Sequence, residues 1–152
     1  LPMASHDDTL VEHVEEALDN GIAISEFPTT MEAARHASEN GMLVLMGAPN
    51  VVRGGSHSGN ISALEIAQAG YLGSLSSDYV PVSLLEAAFA LSEGGYMSLP
   101  AAVGLVTANP AEAVGLADRG LEVGRRADLV RVSMVEGQPV VRNVWREGAE
   151  VF

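Results

Sequence analysis

The sequence contains no cysteine and no lysine, and all eight of its basic residues are arginines. Without lysine, the chain itself has no Schiff-base nucleophile, no carbamylated-lysine metal bridge and no P-loop lysine for nucleotide phosphates. Without cysteine, it has no disulfide and no thiolate metal ligand. This composition fits a reducing compartment, and we expect a cytoplasmic location.

Long apolar runs and positive charge are also missing. No apolar segment approaches the roughly 20 residues of a membrane span. The net charge of −12 argues against nucleic acid as the main partner. We therefore expect neither a membrane nor a nucleic acid as partner, and an anionic ligand would need local neutralisation by arginine or a metal ion. The 152 residues are enough for one ordinary domain with a buried core.

Segments typical of strands and helices alternate along residues 1–95. Predicted strands lie at residues 1–5, 22–27, 42–46 and 71–76. Predicted helices follow at residues 9–20, 31–40, 61–69 and 83–92. Capping boxes at Thr9–Glu12 and Ser83–Glu86, a turn that ends at Thr30 and a cap at Asn60 mark the helix starts. This alternation predicts an α/β fold with a parallel sheet that helices cover.

The pattern changes after Gly95. Ser98-Leu99-Pro100 and Asn109-Pro110 each predict the start of a short helix. Residues 127–152 are rich in valine and contain two turn signals, Glu136-Gly137 and Glu147-Gly148. We therefore predict terminal helices at residues 96–126 and a small β-meander, in a separate sheet, at residues 127–152.

A glycine-rich loop is predicted to bind phosphate. Glycine allows close approach of backbone N–H groups to a ligand, arginine donates two hydrogen bonds, and the next helix would add its free N–H groups. The alternative is a flexible surface loop. The candidate residues are Arg53, Gly54, Gly55, Ser56, His57, Ser58 and Asn60.

Polar residues follow each of the four predicted strands, where parallel βα folds gather ligands. They lie at residues 5–8, 26–30, 47–60 and 76–79. Among them, His6 and Asp78 are suitable ligands for zinc, manganese or iron. Alternatively, His6 is a hydrogen-bonded structural residue and Asp78 caps a turn. His13 and His36 are expected to be solvated.

Several motifs resemble one family in order and spacing. They lie at residues 4–8, 26–34, 46–60, 75–79, 107–111, 118–120, 124–130 and 144–148. The first four together are similar to the carboxyl-terminal part of the diphosphatases of the bacterial carbon–phosphorus lyase pathway, within the amidohydrolase superfamily, and the last four are similar to the ending of that superfamily. The resemblance implies that residues 1–95 are the second half, strands 5 to 8, of a (βα)8 metallo-hydrolase (TIM) barrel. It also implies that the β-meander belongs to a composite β-sandwich and that the chain is a fragment.

The same resemblance implies a metal-dependent phosphohydrolase in phosphonate catabolism. Such an enzyme would release pyrophosphate from the 5-triphosphate of ribose 1-methylphosphonate, a phosphorylated sugar. His6 and Asp78 would bind a divalent metal ion, Asp78 would also be the catalytic general base, and the glycine-rich loop would hold the phosphates. The sequence departs from the superfamily at Thr29 and Thr30, where related enzymes carry a histidine.

Two alternatives stay open. One is an amidase, deaminase or dihydroorotase-like hydrolase of the same superfamily, although a cyclic amide needs no phosphate loop. The other is a half-barrel fragment without catalytic activity. Because a half-barrel has two open sheet edges and an uncovered interior, we expect it to associate with the missing amino-terminal half or with a second copy of the chain.

Overall fold

Four short parallel strands form the main sheet of the structure, which is a computed structural model. It describes residues 2–56, 59–116, 118 and 120–152. The strands β1 (Ala4–His6), β2 (Ile24–Glu26), β3 (Leu43–Gly47) and β4 (Ser74–Ser76) lie in that order in the sheet. The predicted parallel sheet is confirmed. Its membership in a closed eight-stranded barrel stays a prediction.

Helices alternate with these strands and follow β4. They are α1 (Val11–Asp19), α2 (Met31–Glu39), α3 (Ala48–Arg53), α4 (Ala63–Gln68), α5 (Ser83–Glu93), α6 (Leu99–Gly104) and α7 (Ala108–Ala113). The buried residues of α2 are all alanines, which allow close packing of this helix in the core. None of the helices in the described part of the chain is long and apolar enough to cross a membrane.

The two faces of the parallel sheet have different environments. Ser25, Val44 and Leu75 lie in the interior and are at most 3% exposed. Successive side chains of a strand point to opposite faces, and at the alternate positions Ile24 and Leu45 are only half-buried. The helices therefore cover one face of the sheet more completely than the other.

The two edges of this sheet also differ. At the β4 edge, the Leu75 N–H donates to the Leu105 carbonyl at 3.0 Å, and the Asn109 side-chain amide donates to the Gly73 carbonyl at 2.8 Å. At the opposite edge, β1 pairs only with β2 within the described residues. The expectation of two open edges is therefore wrong for β4, because α6 and α7 bring polar groups to its outer side.

The carboxyl-terminal strands form a second, antiparallel sheet in the order β5 (Leu129–Val135), β6 (Gln138–Arg146) and β7 (Ala149–Glu150). Both predicted turns are present. Glu136 and Gly137 have φ values of 50° and 79°, and Glu147 and Gly148 have 53° and 81°. Two successive positive φ values are typical of the type I′ turn that suits the twist of a hairpin. Whether this sheet belongs to a composite sandwich stays a prediction.

An ion-pair cluster connects the start of β5 to the turn after β6. Arg126 Nε lies 2.8 Å from Asp128 Oδ2, and Arg126 Nη2 lies 2.9 Å from Glu147 Oε1. Contact with the Asp128 carboxylate raises the pKa of the Arg126 guanidinium. Asp128 Oδ1 also accepts a hydrogen bond from the Glu147 N–H at 2.8 Å. These contacts give the motifs at residues 124–130 and 144–148 a structural role.

The predicted helix caps have mixed outcomes. Thr30 and Ser98 cap α2 and α6 through their hydroxyl groups, as predicted. The capping box at Thr9 is wrong, since α1 begins after Leu10 without a side-chain cap and Thr9 Oγ1 lies 2.8 Å from Thr29 Oγ1. Because a neighbouring segment offers Thr9 another partner, tertiary contact overrides the local pattern.

Two further cap predictions are wrong because the side chain has another partner. Ser83 is the first residue of α5 and donates to the Val80 carbonyl at 2.6 Å, so it forms no capping box with Glu86. Asn109 lies inside α7, whose N-cap is Thr107, and its amide is used at the β4 edge. In both cases the side chain finds a partner outside its own helix start.

Candidate active site

A cavity of about 150 Å³ lies at the carboxyl-terminal edge of the parallel sheet. Residues just beyond β1, β2 and β4 line it, together with the end of β3 and the segment that follows. The carboxyl ends of parallel strands are the usual location of binding sites in βα folds. The position of the cavity therefore agrees with the strand-end prediction.

Most of the predicted site residues in the described part of the chain meet at this cavity. The lining includes Arg53, Gly55, Ser56, Asn60 and Asp78. Gly54 belongs to the same loop but is not part of the lining. His57 and Ser58 lie outside the described residues.

His6 is near the cavity but does not line it, whereas its neighbour Asp7 does. The His6 Nδ1 atom lies 3.2 Å from Asp7 Oδ2, and Nε2 lies 3.9 Å from Glu26 Oε2. The His6 ring also meets the Phe27 ring edge-on at a centroid distance of 5.4 Å. Both ring nitrogens thus lie within 4 Å of a carboxylate oxygen, and the two roles predicted for His6, metal ligand and structural residue, stay predictions.

The side chains near the cavity are of types that bind a divalent metal ion, but too few of the described ones come together to hold one. Imidazole and carboxylate groups are suitable ligands, and His6, Asp7 and Asp78 all lie at this end of the sheet. Within the described residues, however, no three His, Asp or Glu side chains are placed so that they could hold a metal ion. These residues alone do not complete a metal centre.

The loop after β3 contains an additional helix that the sequence prediction missed. The segment Ala48–Arg53 forms α3, with Pro49 in its first turn, so Arg53 is a helix residue. Gly54 follows in the left-handed conformation, with φ of 79°. Proline soon after a strand, followed by two glycines, was the available signal, since proline suits a helix start and glycine a helix end.

This helix changes the expected role of the glycines. The Gly54 N–H donates to the Val51 carbonyl and the Gly55 N–H donates to the Asn50 carbonyl, each at 3.0 Å. These two N–H groups therefore complete the end of α3 and are not available for phosphate. The glycines shape the loop, and phosphate contacts must come from its other groups.

The cap at Asn60 is also wrong, because α4 begins two residues later. Ser62 and Glu65 form a reciprocal capping box, and these hydrogen bonds from Ser62 lower the pKa of the Glu65 carboxyl. Asn50 Oδ1 accepts a further hydrogen bond from the Ala63 N–H at 2.9 Å. At least two N–H groups at the start of α4 therefore have protein partners, so the helix terminus is a weaker phosphate site than predicted.

Tyr79 is a cavity residue that the sequence prediction did not select. Arg53 Nη1 donates a hydrogen bond to the Tyr79 hydroxyl at 3.2 Å, and both side chains line the cavity. The contact connects the end of α3 to the segment after β4. Tyr79 directly follows Asp78, and this adjacency to a selected residue was the signal for it.

Three residues that line the cavity have an unusual backbone conformation. Asp7, Phe27 and Asp78 have φ values of 59°, 54° and 48°. Each lies one or two residues beyond a strand of the parallel sheet. Positive φ is uncommon for residues other than glycine, and such strain concentrates at functional sites. The positive φ values therefore occur at the same strand ends as the polar side chains.

Gly47, the last residue of β3, makes room for the Asp78 carboxylate. A Cβ atom at position 47 would lie 3.1 Å from Asp78 Oδ2 and 3.6 Å from Asp78 Cβ. The φ of Gly47 is −75°, which any residue can adopt. The requirement for glycine at this position is therefore the space beside Asp78 and not backbone conformation.

We predict that Gly47→Ala lowers kcat about tenfold in the intact protein, meaning the protein as it occurs naturally, because the new methyl group displaces the Asp78 carboxylate. The melting temperature should change little. Steady-state kinetics and thermal unfolding would measure both effects. Gly104→Ala is the matched control, since its Cβ would meet Asn109 Oδ1 at 3.3 Å, at a residue that does not line the cavity. Equal kcat values for Gly47→Ala and the wild type would contradict the prediction.

The fold and the cavity agree with the comparisons. The sequence matches the amidohydrolase family over residues 4–151, and the chain belongs to this family. Over 155 residues, which cover 100% of this chain, it is 52% identical to the alpha-D-ribose 1-methylphosphonate 5-triphosphate diphosphatase of Escherichia coli (strain K12). The resemblance predicted from the motifs is confirmed. The match covers 41% of that relative's length.

A solved structure supports the fold alone. The crystal structure of an uncharacterized protein matches 97% of this chain and 44% of its own chain, with a TM-score of 0.68 and 20% sequence identity. This likeness extends across both the parallel sheet and the carboxyl-terminal strands.

Proposed function

We propose that this chain contributes part of the active site of a diphosphatase that releases pyrophosphate from the 5-triphosphate of ribose 1-methylphosphonate. The observation that best supports this proposal is that Arg53, Ser56 and Asp78 line one cavity at the carboxyl-terminal edge of the sheet. The substrate comes from the E. coli relative, whose name describes it as a diphosphatase of this triphosphate. A guanidinium and a hydroxyl beside a carboxylate suit phosphate binding next to a proton acceptor.

Arg53 is the main phosphate-binding group of the proposal. It is exposed and lies at the end of α3, and its Nη1 atom already donates to Tyr79. This contact would hold the guanidinium over the cavity, so less side-chain freedom is lost when phosphate binds. Ser56 and Asn60 would add hydrogen bonds from the same loop, with His57 and Ser58 as further candidates.

Asp78 is the proposed general base. Its carboxylate lies against Gly47, at a strand end where a water molecule and the phosphate would meet. From there it would accept the proton of the water that attacks phosphorus. Asp7 brings a second carboxylate to the same cavity. Two carboxylates beside a triphosphate repel it, and a cation is needed to offset this charge.

A divalent metal ion (zinc, manganese or iron) is the proposed cation. Members of the amidohydrolase superfamily generally use divalent metals, and His6 and Asp78 are the proposed ligands from this chain. A bound metal would supply charge neutralisation and an activated water. Because the described residues do not complete a site, the remaining ligands would have to come from elsewhere in the intact protein.

Substrate comparison tests this function. The intact protein would be assayed for pyrophosphate release from a ribose 5-triphosphate that carries a 1-methylphosphonate, and for opening of cyclic amides such as dihydroorotate. We expect turnover of the triphosphate only. Turnover of the cyclic amide alone would replace the proposal with an amidase or dihydroorotase-like activity. Turnover of neither would favour a chain without catalytic activity.

We further propose that the rest of a barrel contacts this chain in two ways. A further strand pairs with the open edge of β1, and other parts of the barrel cover the less covered face of the sheet. An open strand edge and half-buried apolar side chains such as Ile24 and Leu45 favour association. We expect this chain alone to sediment as a dimer or larger species, and the intact protein to keep β1 paired on both sides. A monodisperse monomer of the isolated chain would contradict the association.

A further inference from the structure

Asp8 is a buried acidic residue to which the proposed function gives no role. Only 4% of its surface is exposed, although it directly follows the exposed Asp7. A buried carboxylate is costly unless it is hydrogen-bonded. Asp8 Oδ2 accepts two such bonds, from Ser5 Oγ at 2.6 Å and from Ser25 Oγ at 2.7 Å. This carboxylate therefore connects two strands from the interior of the protein.

The two serines are direct partners in the sheet. Ser5 of β1 pairs with Ser25 of β2, and the next pair is His6 with Glu26. Successive side chains point to opposite faces. The serine hydroxyls therefore reach Asp8 on the covered face, while the His6 and Glu26 side chains lie on the other face.

A backbone hydrogen bond of Asp8 also connects the end of β1 to the segment that follows β2. Its carbonyl accepts a hydrogen bond from the Thr29 N–H at 2.8 Å, in the turn that leads to α2. The Asp7 N–H in turn donates to the Glu26 carbonyl at 3.0 Å. Residues 7 and 8 are thus fixed to β2 and to the turn that follows it by both side-chain and backbone hydrogen bonds.

β1 needs such a connection because its own ladder is short. It has three residues, and within the described part of the chain it pairs with β2 alone. A slip of one residue would exchange the two faces of the strand. His6 would then turn to the covered face, and Asp7 would move away from the cavity.

We infer that Asp8 is a positioning residue that locks the register of β1 on β2 and so holds His6 and Asp7 at the edge of the cavity. Its carboxylate acts through Ser5 and Ser25 and does not contact the substrate. The kinetic part of this inference rests on the proposed function, whereas the register lock does not.

Three variants of the intact protein test the inference. Asp8→Ala removes the acceptor, and Asp8→Asn keeps an oxygen that both hydroxyls can use. Ser74→Ala is the matched control, because Ser74 is also fully buried and donates to the Leu105 carbonyl at the opposite edge of the sheet. Hydrogen exchange over residues 4–8 would report the register lock, and steady-state kinetics would report positioning.

For Asp8→Ala we expect faster exchange at residues 4–8 and a fall in kcat of about a hundredfold, with KM changed less than about twofold, since phosphate binding at Arg53 is left in place. Asp8→Asn should restore most of kcat. The Ser74→Ala control should keep the exchange of residues 4–8 at the wild-type level. If Asp8→Ala does not fold, Ser5→Ala removes one of the two hydrogen bonds and should shift exchange and kcat in the same direction.

Unchanged exchange at residues 4–8 in both Asp8→Ala and Ser5→Ala would overturn the register lock. A loss of kcat that Asp8→Asn does not restore, or an equal loss in Ser74→Ala, would overturn positioning and leave only a contribution to stability. If the wild type does not hydrolyse the triphosphate, the proposed function fails, and the exchange measurement still decides the register lock.

Discussion

Replacing Asp78 with asparagine is expected to lower kcat by about 10²- to 10⁴-fold in the intact protein, the range of a lost general base. Asparagine keeps the shape of the side chain beside Gly47 and tolerates the positive φ of 48° at this position. It cannot accept the proton of an attacking water. Asp78→Asn therefore tests the chemistry of the carboxylate with little change in structure.

The Asp78 experiment needs a control and a second measurement. Asp19→Asn changes an exposed carboxylate at the end of α1 and should leave kcat unchanged. Metal analysis of the purified proteins would show whether Asp78 is also a ligand, in which case Asp78→Asn should contain less zinc, manganese or iron than Asp19→Asn. Unchanged turnover together with equal metal content would refute both proposed roles of Asp78.

Removal of the Arg53 side chain is expected to weaken phosphate-dependent binding by about 1.5–3 kcal/mol, the range for a hydrogen bond to a charged group. This corresponds to a loss of roughly 10- to 150-fold in affinity. Titration of the intact protein with pyrophosphate would measure it for Arg53→Ala. High salt should reduce the affinity loss caused by Arg53→Ala only if Arg53 stays exposed to solvent in the complex with pyrophosphate, because salt screens exposed charges.

Matched variants separate the charge of Arg53 from its geometry. Arg53→Lys keeps the charge but loses the two-pronged donor, and we expect it to recover only part of the affinity. Tyr79→Phe removes the hydroxyl that accepts from Arg53 Nη1 and should weaken binding less than Arg53→Ala. Arg35→Ala changes an exposed arginine on α2 and is the control for net charge. A wild-type affinity in Arg53→Ala would make Arg53 a surface residue without a binding role.

The cavity shows which part of the site the sequence could predict. The sequence predicts Asp78 and the loop residues 53–58 and 60 as site residues, because glycine, arginine and acidic residues follow strands there. Among those that the structure describes, Arg53, Gly55, Ser56, Asn60 and Asp78 line the cavity. Tyr79 lies in the motif at residues 75–79 but is not a predicted site residue, since an exposed tyrosine has no pattern of its own. Its importance depends on the contact with Arg53, which comes from a helix 26 positions earlier in the chain.

The role of Asp8 depended on tertiary structure for a similar reason. Asp7 and Asp8 are adjacent acidic residues, and nothing in the sequence says which of them is buried. The turn at Asp7, with φ of 59°, exposes that residue to the cavity, while Asp8 turns inward to the two serines. A serine on each of two strands becomes informative only once the register brings them side by side.

The sequence by itself determined the βα order, the two hairpin turns of the carboxyl-terminal sheet and the family. These features depend on local signals, namely apolar periodicity, turn residues with positive φ and motifs of fixed spacing. Only the tertiary structure decided the loss of the predicted cap at Thr9, the use of the Asn109 amide at the β4 edge and the burial of Asp8. In each case a polar side chain has a partner on another segment, and the local sequence does not encode that proximity. These partners are Thr29 for Thr9, the Gly73 carbonyl for Asn109 and Ser25 for Asp8.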